Sequence, residues 1–286
     1  MIIPKANRQN PKIFPPVGRC IYCLSDGGTK GLSREHIVAE GLQGSLILQK
    51  ASCVSCARIT SRVETVCLQE TYVDYRDHAN LKMSKKSKAK LKRRRVAALM
   101  LPELPPPGIL SGKPLEVAVD APDPNLVVHG MHCWYFSREK LVALQEGDRP
   151  KTFNIVLFLR MLAKIGHSYA IAELGVDNVD SHLNDVILET AHNAKLQYLV
   201  GGADAAFANI CRPPPEGLDQ INPPMHTLHQ LFLAPNVTEA STWGLGVGIR
   251  LFAIHKTPLY LVAVGSMKVS PELRARFAPA LRQANP

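Results

Sequence analysis

The 286-residue chain is long enough for more than one cored domain, and no apolar run approaches the roughly 18 residues a membrane-spanning helix needs. Its formal net charge is +10, from 34 Lys and Arg against 24 Asp and Glu, which points to a polyanionic partner. Seven cysteines, an odd number in a chain of this length, argue against the disulfide framework of a small secreted protein.

Residues 1–16 read as a polar, proline-punctuated N-terminal extension ending at Pro15-Pro16. The first twelve residues lack the apolar h-region of a secretory signal, so a cytoplasmic setting is expected. Two CxxC pairs follow, Cys20-Ile-Tyr-Cys23 and Cys53-Val-Ser-Cys56. Each puts two thiolates on a tight knuckle, and two knuckles together offer the four soft ligands that Zn²⁺ takes in a tetrahedron. Asp26-Gly27-Gly28 after the first pair is turn chemistry, unlike the strand-to-helix entry of a redox CxxC. Cys67, Cys133 and Cys211 lie outside any pair and read as small buried hydrophobes. A helix is expected over 55–70.

Between the knuckles stand Leu32-Ser33-Arg34-Glu35-His36-Ile37-Val38 and Gly41-Leu42-Gln43-Gly44. Ala51-Ser52-Cys53 and Ile59-Thr60-Ser61-x-x-Glu64 follow. Taken with both CxxC pairs, this stretch resembles an HNH endonuclease domain, in particular the bacterial HNH proteins whose EHI motif lies between two zinc knuckles. The resemblance implies an α+β fold class: a zinc-stapled ββα-metal module over 17–80, joined to a further α+β unit. It implies phosphodiester hydrolysis in nucleic acid, with DNA before RNA as substrate. Glu35 would then ligate a catalytic Mg²⁺ or Mn²⁺ and His36 would be the general base, while Cys20, Cys23, Cys53 and Cys56 hold a structural Zn²⁺. The match departs from the family after the last cysteine, where Ala57 stands in place of a metal-binding Asn. On a helix, Glu64 falls seven residues later on the same face, about 10 Å along the axis, and is the candidate replacement ligand.

The charge excess is concentrated next. Residues 82–95 hold Lys82, Lys85, Lys86, Lys88, Lys90, Lys92, Arg93, Arg94 and Arg95 with no acidic residue among them. Such a block repels itself unless a polyanion neutralises it, so these side chains, from Lys85 to Arg95 above all, are the expected nucleic-acid contacts. The basic segment and a proline-rich linker ending at Gly108 fill 81–108.

Residues 109–286 then read as a separate α+β accessory domain. Short strands are expected at 115–119 and 126–129, a long helix at 152–174 closed by Gly175, and another helix at 179–190. Three β-rich runs, 226–233, 244–254 and 258–264, predict an antiparallel sheet covered by the long helix. His129-x-x-His132-Cys133 reads as isolated polar and core residues, Gly244-x-Gly246-x-Gly248 as a strand, and His167 as a packed histidine. Besides the nuclease, two other functions suit the chain: a non-catalytic zinc module binding nucleic acid, and a ligand sensor housed in 109–286.

Overall fold

The computed structural model describes residues 11–72, isolated positions between 76 and 89, 155–188, 225–237 except 227, 242–253 and 260–284. Two sheets and a central helix make up this body, an α+β arrangement.

The first sheet has three strands in the order β1-β3-β2: β1 (Lys12–Pro16), β2 (Leu32–His36) and β3 (Leu46–Cys53). β2 runs antiparallel to β3, and β1 runs parallel to it. Lys12–Pro16, expected as part of a lead-in, is therefore a strand. Phe14 buries its ring in the core, while Pro15 and Pro16 sit on an edge strand, where missing N–H donors are tolerated. The β2–β3 ladder passes from Ser33↔Ser52 to Glu35↔Leu48, so β3 carries two extra residues there. Lys50 lies in this bulge with φ 46. The bulge separates the cysteine end of the sheet from the Glu35–His36 end.

Between β2 and β3 the chain makes a tight turn through Gly44. A Cβ on Gly44 would stand 1.9 Å from the Val38 carbonyl oxygen, so only glycine fits. β3 runs directly into α1 (Val54–Val66), which continues through one π-helical turn, Cys67–Thr71. The Cys53 sulfur caps α1 by accepting from the Cys56 N–H.

The long helix α2 (Ile155–Leu174) lies where expected, with Gly175 at φ 85 donating its N–H to the Ile171 carbonyl as the cap. Its apolar residues, among them Phe158, Leu162, Ile165 and Ile171, are buried nearly all round. One side rests on the second sheet, where Gly166 brings the backbone close to Val262 and Val264. The other side meets α1.

The expected helix over 179–190 is instead a strand, β4 (Val179–Ser181), and a short helix, α3 (Asn184–Leu188). Pairing of β4 with the strand at 260–268 overrides local helix preference, and the Ser181 hydroxyl accepts from the Leu183 N–H to turn the chain between them. The remaining strands are β5 (Met225–His226), β6 (His229–Val237), β7 (Thr242–Arg250) and β8 (Tyr260–Lys268), in the antiparallel order β4-β8-β7-β6-β5. The three expected β-rich runs thus form the heart of an antiparallel sheet. Gly244, Gly246 and Gly248 lie on β7, and Gly248 leaves room for the Phe232 ring across the ladder. α4 (Pro271–Ala284) closes the chain, with Phe277 against Trp243.

Buried residues from 14–81 and from 158–277 form one continuous hydrophobic cluster. The linker expected between two domains, and the strands expected at 115–119 and 126–129, lie outside the described residues apart from a few positions. Among the described residues no helix is long and apolar enough to cross a membrane.

Candidate metal centre and acidic site

The first knuckle is shaped by its backbone. Cys20 donates its N–H to Ser25 O, Leu24 donates back to Cys20 O, and Leu24 adopts φ 60 to close the turn. An Asx turn follows, Gly28 N–H to Asp26 Oδ1 at 2.8 Å, as the Asp-Gly-Gly sequence dictates. Ile21 N–H bonds Ala51 O, which fastens this knuckle to β3 two residues before the second one begins. The four sulfurs of Cys20, Cys23, Cys53 and Cys56 consequently lie within 4.8 Å of one another, with Cys23 Sγ to Cys53 Sγ at 3.7 Å.

Tetrahedral Zn–S bonds of about 2.3 Å place sulfurs ~3.8 Å apart, so this donor set fits a structural zinc. None of the four is in a disulfide. Burial pushes the Cys20 and Cys56 thiols up, while hydrogen bonds from Ser25 outweigh burial at Cys23 and bring it down to about 6. A bound dication would relieve this conflict by stabilising all four thiolates. Cys67 is buried away from the cluster, as expected of a small hydrophobe; Cys133 and Cys211 lie outside the described residues.

Glu35 and His36 are adjacent on β2, so their side chains leave on opposite faces. Glu35 points to the core and is 6% exposed. Burial raises its pKa, while the neighbouring Lys164 acts in the other direction. Glu64 on α1 reaches the same place. Glu35 Oε1 lies 2.6 Å, and Glu64 Oε1 2.7 Å, from the Lys164 Nζ on α2. The two carboxylates therefore converge, and the cation between them is a lysine ammonium. Lys164 is only 2% exposed and also donates to the main-chain carbonyls of His36 and Ile37. Burial works against its charge, but Glu35 and Glu64 outweigh it and hold its pKa above the ordinary lysine value. Tyr22 completes the surroundings, its hydroxyl lying 3.3 Å from Ser168 Oγ.

On the other face, both ring nitrogens of His36 are buried and have no hydrogen-bond partner among the described residues. An unsatisfied buried polar group costs about 1–3 kcal/mol and calls for a reason. Burial, with Arg34 beside it, lowers the His36 pKa and favours the neutral imidazole. Ala57 offers no ligand atom, and Thr60 Oγ1 bonds its carbonyl.

Sequence patterning passed over Lys164, although a signal was present: a cation between Ala163 and Ile165 in a largely apolar helix demands a buried counter-charge. The same helix face carries His167 and Ser168, three and four residues on, and all three grip residues 21–37. His167 is a packed histidine, as read: its Nε2 lies 2.8 Å from Ile21 O and its Nδ1 2.9 Å from Ser181 Oγ. A carbonyl only accepts, so the proton sits on Nε2 and Nδ1 accepts from the serine. Of the expected nucleic-acid contacts, Lys85 and Lys88 are described and exposed. Lys86, Lys90, Lys92, Arg93, Arg94 and Arg95 lie outside the described residues, as do His129, His132 and Cys133.

Glu35 and Glu64 are oxygen donors, and the cation they face is the Lys164 ammonium. No family model, curated protein or solved structure matches the chain.

Proposed function

We propose that the protein is an HNH-type nuclease that hydrolyses phosphodiester bonds in nucleic acid, DNA foremost, with His36 as general base. One observation carries the reading. An imidazole with no hydrogen-bond partner among the described residues directly follows Glu35 in β2, on the opposite face of the strand from the converging Glu35 and Glu64 carboxylates, in a strand–strand–helix unit stapled by four clustered cysteines. The lowered pKa leaves His36 neutral near pH 7, the state that accepts a proton from an attacking water. Glu35 and Glu64 would hold Mg²⁺ or Mn²⁺, which when bound supplies positive charge to the phosphate and the departing 3′ oxygen. Arg34, exposed on β2 near His36, is suited to orient the phosphate, and the basic segment to hold the backbone.

Plasmid DNA and RNA incubated with full-length protein, in Mn²⁺ or in EDTA, test this. His36→Ala should lower metal-dependent cleavage by roughly two to four orders of magnitude while leaving nucleic-acid affinity in place. Wild-type protein that binds nucleic acid and cleaves none of it would overturn the proposal.

A second reading, a non-catalytic zinc protein that binds nucleic acid, draws on Ala57 and on the ammonium between Glu35 and Glu64. Binding without cleavage, unaffected by His36→Ala, is its signature.

A further inference from the structure

Lys164 is surrounded by oxygen. Glu35 Oε1 and Glu64 Oε1 lie at 2.6 and 2.7 Å from its Nζ, Ile37 O at 3.2 Å, and His36 O also accepts from it. An ammonium has three protons to place and here meets four acceptors, two of them anionic, in a pocket of main chain and carboxylate. Hard metal ions are bound by the same kind of cage, carboxylates supplemented by carbonyls. The cage spans three separate elements, so it is a tertiary construction rather than a local ion pair.

We propose that Lys164 is an internal cation competing with divalent metal for the Glu35–Glu64 pair, so that α2 carries a latch on the acidic site. The inference rests on the reading of that pair as metal ligands. Two features support competition over coexistence. The N–H groups of Lys164 point at the carboxylate oxygens a metal would need, so ammonium and dication cannot share them. The backbone of α2 is fixed by buried Leu162, Ala163 and Ile165 and by the close approach of Gly166 to Val262. Opening therefore proceeds by rotation of the four-carbon lysine stem, not by sliding of the helix.

The test is Mn²⁺ affinity, read by calorimetry and by the electron paramagnetic resonance of free Mn²⁺, on zinc-loaded full-length protein. Lys164→Met should bind one Mn²⁺ at least about tenfold tighter than wild type. Adding Glu64→Gln to Lys164→Met should abolish the gain. Lys164→Gln, which keeps a neutral donor in the cage, serves if the methionine variant does not fold, and should show the same gain. Equal affinity in wild type and the folded variants would overturn the latch. So would tight Mn²⁺ binding by wild type that Glu64→Gln removes, and that arm needs no change at Lys164. A gain in affinity without cleavage by any form sinks the nuclease reading and leaves the latch standing. Wild-type cleavage with Mn²⁺ affinity indifferent to Lys164→Gln does the reverse.

Discussion

The ammonium of Lys164 on α2 lies 2.6 Å from the carboxylate of Glu35 on β2, although the two residues are far apart in the sequence. Both are almost fully buried. Removing one member of such a pair leaves an uncompensated charge in the core, which costs about 3–5 kcal/mol. Lys164→Met should therefore lower urea stability by that order, and adding Glu35→Gln should recover part of it. If Lys164→Met left the unfolding midpoint unchanged, the ion pair would have no energetic weight.

Zinc should stabilise more than its own knuckles. Ile21 and Tyr22, inside the first CxxC, are fully or nearly fully buried and contact His167 and Ser168 of α2. Metal analysis is expected to find about one zinc per chain, lost in Cys53→Ser. Loss of zinc should also lower the melting temperature of α2 and its sheet, in one transition. A chelated protein whose second sheet melts as before would show that the shared core does not couple the halves.

Acid should weaken the fold through His167. Burial lowers its pKa from 6.5 to about 4. Between those values the unfolded chain binds a proton that the folded chain refuses, so stability present above pH 6.5 is lost progressively as pH falls towards 4. The full effect is about 3 kcal/mol by linkage. His167→Gln should be less stable at neutral pH and show a shallower decline over this window, measured by denaturant titration at each pH. Identical slopes for the two proteins would refute the assignment.

Binding through the basic segment is expected to be electrostatic and indifferent to sequence. Reversing the sign of Lys92, Arg93, Arg94 and Arg95 should weaken DNA affinity across unrelated duplexes and flatten its dependence on salt. An unchanged salt slope would assign phosphate contact to other cations, Arg34 and Arg58 being exposed candidates.

The features readable from the sequence share a physical trait: each depends on residues close in the chain. CxxC spacing places two sulfurs on one knuckle whatever the rest of the fold does, and the four-cysteine cluster lies where those spacings imply. The apolar run of α2 and the alternation along β7 likewise reflect local periodicity. Strand β1 was hidden because prolines at its end read as loop until β3 supplied a partner, and β4 because its pairing with β8 competes with a helical pattern. The acidic site was half legible. Glu35, His36 and Glu64 stand out as residue types, but nothing local says which cation Glu35 and Glu64 will face. That was decided by packing α2 against α1 and β2, which delivered Lys164 into the space between the two carboxylates. An ion pair is set by distance in space, and distance in space between remote segments is a property of the tertiary fold alone.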